Sequence, residues 1–326
     1  MAIIDVHTHM YSDSWFAAIK RHGAPDYVVH KAAGGGEYLT EHGLRSIAFI
    51  PALFDYDLRI KRMGEMGIDL AVISLTGPSV YWGGREVSEA VARATNDELA
   101  AAQTAHPDRI RWFASLPWQH PDLAVSELTR AVDAGAIGVM VLANVAGKPL
   151  ADAEFEPIWR EIDRRSLPVL VHPNVPMGYE TMEFDSVRGL LPTLGYTFDT
   201  SHAVARLVLT GFFDKFPKVK IIAAHGGGFL PYVAARMDLF LGKIHPDRPK
   251  SQLPSAILRE RVFYDAVLYG EESLHMCVNF AGAERVMFGT DYPLGGDDDG
   301  LFTRARALPN GRDAVLERTA RRVFGL

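Results

Sequence analysis

Within its first nine residues the chain places two imidazoles two positions apart, in Ile3-Ile4-Asp5-Val6-His7-Thr8-His9. Two apolar residues followed by alternation read as a short buried strand. Strand side chains alternate between faces, so His7 and His9 project the same way, roughly 7 Å apart along the strand, and can converge on one ion. Neutral imidazole suits zinc and other late divalent metals. A His-x-His pair alone is equally compatible with two ordinary polar residues at a strand end. Further residues of ligand type close other apolar runs: His172 after Val169-Leu170-Val171, His225 after Ile221-Ile222-Ala223-Ala224, and Asp291 after Met287-Phe288-Gly289-Thr290.

The elements that must position them emerge from the periodicity. After the first strand, apolar strand-like runs occupy 70–75, 110–116, 137–142, 168–172, 219–225, 262–265 and 285–291. Amphipathic helical stretches cover 58–66, 88–105, 121–133, 155–165, 201–215, 230–241, 272–281 and 314–324. Near-continuous apolar strands alternating with helices mean a parallel sheet. Eight such pairs predict an α/β fold, a closed (β/α)8 TIM barrel, and no Gly-rich dinucleotide fingerprint follows the first strand to suggest an open sheet. No linker divides the chain, so one barrel domain is expected over 1–326. Residues 11–57 form an insertion with a Gly34-Gly35-Gly36 break and a polar turn at Glu41-His42-Gly43. This insertion reads as a small β-hairpin that could serve as a lid or partner-binding flap.

In such a barrel the strand C-termini build one mouth. His7, His9 and His172 would supply neutral nitrogens and Asp291 a hard oxygen to one divalent ion, zinc by its ligand chemistry with manganese as the alternative. One position would stay open for water or a substrate oxygen. His225 lies before Gly226-Gly227-Gly228 and is the candidate general acid/base, with metal ligation the lesser alternative. The fourth strand ends Leu142-Ala143-Asn144, without a lysine that could be carboxylated to bridge two metals. Lys148, in a Gly-Lys-Pro turn, reads as solvated.

Composition narrows the function classes. With 326 residues, 48% hydrophobic and 23% charged, the chain can bury a large core. A net charge of −6 and no basic stripe argue against nucleic acid. A single cysteine, Cys277, excludes an intramolecular disulfide and a multi-cysteine zinc site. The longest apolar run, 136–145, is too short to span a bilayer. No membrane association and a cytoplasmic location are expected.

The set Asp5-Val6-His7-Thr8-His9, Val171-His172-Pro173, Ala224-His225-Gly226-Gly227-Gly228 and Gly289-Thr290-Asp291-Tyr292-Pro293 resembles the amidohydrolase superfamily. More narrowly, it is similar to the "amidohydrolase 2" branch of aminocarboxymuconate-semialdehyde decarboxylase. The resemblance runs in order from Ile3 to the end of the chain. It implies a single metal ion, His7, His9, His172 and Asp291 as ligands, His225 as the catalytic histidine, and non-oxidative decarboxylation of a small unsaturated or aromatic carboxylic acid. It also implies a homodimer, an aromatic substrate wall at Tyr81-Trp82, and Arg236 reaching a neighbouring subunit's substrate carboxylate. The sequence departs from the branch in two places. Phe49-Ile50-Pro51-Ala52-Leu53-Phe54 is uncharged where the decarboxylase carries a carboxylate-binding arginine, the nearest here being Arg45. The His-x-His start also differs from the Glu-x-His of the branch's aromatic-acid decarboxylases. The first departure points to a less charged, more apolar or aromatic substrate.

The remaining candidates are plainer. His202 reads as a helix cap or packing residue, Asp265 as an orienting partner for a ligand histidine or a loop anchor, Cys277 as helix core, and Asp297-Asp298-Asp299 as a solvated turn. Two other activities use the same residues: a metal-hydroxide hydrolase or hydratase acting on a lactone, amide or unsaturated acid, and a metal-binding barrel without catalysis.

Overall fold

The structure, a computed structural model, describes residues 1–326 except 185, 186, 188, 248, 250, 251, 296 and 297, together with the side chains of 298 and 299. The expected solvated turn at Asp297-Asp298-Asp299 therefore lies outside the described residues. Thirteen strands are described: β1 (Ile4–His9), β2 (Tyr27–Lys31), β3 (Glu37–Glu41), β4 (Leu44–Phe49), β5 (Leu70–Ser74), β6 (Ile110–Ser115), β7 (Gly138–Leu142), β8 (Asn144–Val145), β9 (Lys148–Pro149), β10 (Pro168–His172), β11 (Lys220–Ala223), β12 (Val262–Asp265) and β13 (Val286–Met287). Eight of them form one parallel sheet in the order β1-β5-β6-β7-β10-β11-β12-β13. Strands β1, β7, β10 and β12 are buried along their whole length, as helices packed outside a barrel require.

The barrel nearly closes between its first and last strands. Val6 N–H donates to the Phe288 carbonyl at 3.0 Å, Asp291 N–H to the His7 carbonyl at 2.7 Å, and His9 N–H to the Tyr292 carbonyl at 2.8 Å. Side chains reinforce the seam. Asp5 Oδ2 accepts from Thr290 Oγ1 at 2.6 Å, and its Oδ1 accepts from the Thr290 and His7 amides, both at 3.1 Å. Burial pushes the Asp5 carboxyl up to about 6 against these hydrogen bonds. Arg59, buried on the helix Tyr56–Met66, donates to the His9 carbonyl at 2.6 Å and stacks on the Tyr292 ring at 4.3 Å. That helix ends where the sequence suggested, at Gly67, whose φ of +71° suits a residue without Cβ.

The insertion is larger than a hairpin. The expected hairpin is present, β3 pairing antiparallel with β4 through the His42-Gly43 turn, but β2 adds a third strand on the other side of β3. A helix, Asp13–His22, precedes them, its first turn capped by Ser12 Oγ accepting from Trp15 N–H. Tyr11, Trp15, Phe16, Phe49 and Phe54 form an aromatic cluster within the insertion, with Tyr11–Trp15 and Phe16–Phe49 centroids at 4.3 and 4.6 Å, and Trp15 Nε1 ties it to the chain beyond β5 by donating to the Ser79 carbonyl at 2.7 Å. Trp15 is fully buried, and burying one such side chain contributes roughly 2–3 kcal/mol. The helix buries only Trp15 and Ile19 and the third strand only Tyr27, so neither carries a sustained apolar period.

Two other expectations shift. The eighth strand, expected over 285–291, keeps strand form only at Val286–Met287: Phe288 N–H donates to the Val315 carbonyl at 2.8 Å, outside the sheet, and Asp291 farther on takes a positive φ. The helix expected over 201–215 begins earlier, at Tyr196, after a widened π turn at Leu191–Gly195, and breaks at Gly211. His202 is thus inside a helix, stacked on Phe198 at 5.9 Å, rather than at its cap.

Candidate active site

The C-terminal ends of β1 and β10 bring three histidines together. His7 and His9 project from the same face of β1, with their Nε2 atoms 3.1 Å apart. His172 ends β10, its ring centroid 5.1 Å from that of His7 and 4.8 Å from that of His9. Asp291 faces them from beyond β13, with Oδ1 at 3.0 Å from His9 Nε2 and 3.4 Å from His7 Nε2. One donor atom from each of His7, His9, His172 and Asp291 lies within 4.8 Å of every other. Donors bound to one ion at about 2 Å stand roughly 3–4 Å apart, so small closures suffice. The four residues fit a single divalent ion.

Each imidazole is held from behind. His7 Nδ1 lies 2.6 Å from Asp265 Oδ2, while Asp265 Oδ1 accepts from the Gly226 and Val267 amides at 3.1 Å. Asp265 therefore does both things expected of it, orienting a histidine and anchoring a loop. His172 Nδ1 donates to the Pro173 carbonyl at 2.9 Å. A carbonyl only accepts, so the proton sits on Nδ1 and Nε2 keeps its lone pair. His9 Nδ1 contacts Ser74 Oγ at 3.1 Å. Ser74, Asp5 and Arg59 are supporting residues that sequence reasoning missed. Ser74 closes an apolar strand with nothing to distinguish it, whereas a buried arginine on an inward helix position was a signal that could have been followed.

The charge states suit a cation. Burial, and then the neighbouring histidines, hold His172 well below the ordinary imidazole value, and burial lowers His9. Burial alone would raise Asp291, but hydrogen bonds from His225 and His9 and the nearby imidazoles hold its carboxyl well below the usual range. His7 is pushed down by burial and lifted more strongly by Asp265, with Asp291 and Asp5 assisting, so it ends above its ordinary value. The site thus gathers carboxylate charge around imidazole nitrogens, which is the arrangement in which a divalent ion displaces protons.

His225 stands beside the same cluster, its ring centroid 5.1 Å from that of His7 and 5.9 Å from that of His172. Its Nε2 lies 3.6 Å from Asp291 Oδ2, so one carboxylate faces the three-histidine cluster through Oδ1 and His225 through Oδ2. The Nδ1 atom of His225 is buried without a hydrogen-bond partner among the described residues. Both His225 and Asp291 take positive φ, +54° and +57°, an uncommon state for non-glycine residues that clusters at functional sites. The glycines after His225 are required by close approach: a Cβ on Gly228 would lie 2.3 Å from the Thr197 carbonyl oxygen.

His172, His225 and Asp291 line a cavity of about 700 Å3, closed on another side by Glu41, Ser46, Ile47 and Ala48 of the insertion sheet. No lysine or arginine is among its described lining residues. Arg45, the nearest arginine to the uncharged stretch, is exposed and stacks on Tyr38 at 4.3 Å. Lys148 is exposed and pairs with Glu154. Trp82 is not brought to this cavity: buried, it donates from Nε1 to the Ser79 carbonyl at 3.0 Å and lines a neighbouring cavity of about 750 Å3 with Tyr81. Arg236 is exposed on the helix Leu230–Ile244, its guanidinium 4.7 Å from the Phe240 ring, and also lies off the cavity of its own chain. Cys277 is buried in the helix Glu271–Ala281.

Comparison with known proteins places these features in a wider group. A family model described as "Amidohydrolase" matches residues 4–326. The chain is 31% identical to a gamma-resorcylate decarboxylase of Rhizobium sp., over 95% of this chain and 98% of the relative. It is 27% identical to a 2-amino-3-carboxymuconate-6-semialdehyde decarboxylase of Dictyostelium discoideum, over 89% of this chain and 81% of the relative. Among solved structures, a dihydroxybenzoic acid decarboxylase from Polaromonas sp., with bound manganese and the inhibitor 2-nitroresorcinol, superposes with a TM-score of 0.79 at 25% identity, covering 100% of this chain and 97% of the other.

Proposed function

The chain belongs to the amidohydrolase family, and from that premise we propose that it is a non-oxidative decarboxylase of a small unsaturated or aromatic carboxylic acid, dependent on one divalent metal ion. The observation that carries this reading is the shared carboxylate of Asp291, one oxygen toward the His7, His9 and His172 cluster and the other toward His225. When bound there, the ion supplies Lewis-acid charge that holds a substrate oxygen and draws electron density from the breaking bond. Zinc is the ion favoured by three imidazoles and one carboxylate, and the manganese in the Polaromonas protein makes that metal the alternative.

The chain's own residues then have distinct tasks. Ile47, Ile50, Val267, Leu268 and Leu294 offer apolar surface against which the hydrocarbon part of the substrate would pack. The carbon–carbon bond to the carboxyl group breaks, its electron pair stays on the ring or vinylic carbon, and CO2 leaves. The carbon takes a proton in exchange. In this reading His225 delivers it, and Asp291 Oδ2, 3.6 Å from its Nε2, orients the imidazole. The absence of lysine and arginine from the described lining fits a substrate with one carboxylate rather than two.

A panel of unsaturated and hydroxyaromatic acids incubated with metal-replete protein tests this directly by mass spectrometry. The expected product is lighter by CO2 and absent after chelation. A product heavier by one water would replace the decarboxylase reading with a hydratase or hydrolase one.

A homodimer belongs to the same reading. The helix Leu230–Ile244 exposes Tyr232, Leu239, Phe240 and Ile244, at 78%, 56%, 45% and 68%, beside Arg236. Exposed apolar side chains of this kind support the reading, and across such an interface Arg236 would reach a partner's site, where its forked donors would grip a carboxylate. Sedimentation should give a dimer that Leu239→Glu converts to monomer. A monomeric wild-type protein at micromolar concentration would discard this part of the reading.

A further inference from the structure

Glu41 is a buried acid to which the metal-centred chemistry assigns no task. It ends β3 in the insertion sheet, is 1% exposed, and its Oε1 has no hydrogen-bond partner among the described residues. With Asn174 it stands where the two cavities meet, lining both the one that contains His172, His225 and Asp291 and the neighbouring one. An unsatisfied buried polar atom costs about 1–3 kcal/mol, which a suitable ligand group would recover.

The surroundings decide which form Glu41 takes. Burial pushes its carboxyl up to about 8, the Asn174 amide opposing and the nearby Asp199 carboxyl reinforcing the shift. Asp199 is itself pushed up to about 7 by burial, against hydrogen bonds from the Asn174 backbone and the Asn144 amide. Tyr196 lines the same cavity near Glu41, its hydroxyl hydrogen-bonded to Ser46. A neutral carboxyl offers an O–H donor as well as an acceptor.

We propose that Glu41 sets substrate specificity: its carboxyl O–H donates a hydrogen bond to a neutral oxygen substituent, such as a ring hydroxyl, on the acid whose carboxylate end lies at the His7, His9, His172 and Asp291 cluster. This rests on the decarboxylase reading and narrows it. The substrate carries one carboxylate and a second, uncharged oxygen group. A second carboxylate in that position would find no lysine or arginine among the described lining residues to offset its charge.

The test compares one parent ligand and its hydroxylated derivatives across three proteins. Calorimetry would measure the affinity of 2-nitrophenol and of its ring-hydroxylated derivatives for metal-loaded wild type, Glu41→Gln and Glu41→Ala. At least one hydroxylated derivative should bind the wild type about tenfold more tightly than 2-nitrophenol, as one added hydrogen bond of about 1.4 kcal/mol would give. Glu41→Gln keeps an N–H donor of the same shape and should keep that ratio within a few-fold, whereas Glu41→Ala should bring it to about one. The ratio cancels any general loosening of the site, which shifts both ligands together. A ratio unchanged in Glu41→Ala, or no gain from any hydroxyl in the wild type, overturns the assignment and leaves the decarboxylase reading standing. A panel in which nothing binds, joined to acids from which no CO2 is lost, overturns that reading and this one with it.

Discussion

Replacing His225 with alanine should lower kcat by roughly a thousandfold, within the range that a positioned acid/base group contributes, while leaving the metal content of the protein unchanged. The separation follows from where the residue sits. The His225 ring centroid lies 5.1 Å from that of His7 and its Nε2 3.6 Å from Asp291 Oδ2, yet the four clustered donors are His7, His9, His172 and Asp291 without it. Its removal leaves those four intact and takes away the group that would hand a proton to the carbon losing CO2. Two measurements on one preparation are needed: turnover on the best acid of the panel, and bound metal per chain after dialysis. Full turnover in the variant would end the acid/base assignment. Loss of the metal together with turnover would instead make His225 a ligand, the lesser alternative of its sequence context.

Asp291→Asn should lose both. Among the four clustered residues Asp291 is the only one that brings a full negative charge, and its carboxyl is held ionised by the histidines around it. The amide keeps the shape and tolerates the φ of +57°, so the substitution removes charge with little backbone strain. Even outer partners of a metal site change affinity 10–100-fold, and a direct ligand should change it by roughly a hundredfold or more. The dialysed Asp291→Asn protein should therefore carry little ion, show no decarboxylation, and lack the rise in melting temperature that added zinc or manganese gives the wild type. That rise is expected because an ion that binds the folded chain at a hundred times its dissociation constant stabilises it by about 2.7 kcal/mol. Stoichiometric metal in the variant would show that the three histidines suffice.

The two experiments bracket the shared carboxylate from opposite ends. One removes the partner of Oδ2 and the other the charge common to both oxygens. If His225 delivers the proton and Asp291 also holds the ion, only the second variant should lose its metal.

Much of this was legible in the sequence because its physical cause is local. Period-two alternation puts His7 and His9 on one face wherever the strand goes, and β1 does so in the fold. Fully buried parallel strands read as unbroken apolar runs, so β5, β6, β7, β10, β11 and β12 could be counted before any was seen, and eight strand–helix pairs leave few architectures besides a barrel. With the strand ends known, the convergence of His172, His225 and Asp291 followed from topology. The family resemblance gathered the same residues independently.

Other features arise only when distant segments meet. Asp291 and His225 are aimed by left-handed turns past the ends of their strands, not by alternation within them, and no local pattern reports a φ of +57° or +54° at a non-glycine residue. Trp82 follows a barrel strand as expected but is drawn into a second cavity by Trp15 and Ser79, residues 67 and 3 positions earlier in the chain. The third insertion strand exists because β3 offers it an edge. Arg59 and Asp5 gain their tasks at the seam between the first and last strands, where Asp5 and Thr290 are 285 positions apart, and Ser74 gains its own from His9 across the β1–β5 pair. Glu41 is an ordinary polar residue beside a turn until the insertion sheet folds over the barrel mouth and buries it. The sequence by itself determined which side chains could do the chemistry and which strands carry them. Tertiary structure decided their aim, their charge states and the shape of the space they face, because those depend on burial and on partners that local sequence does not contain.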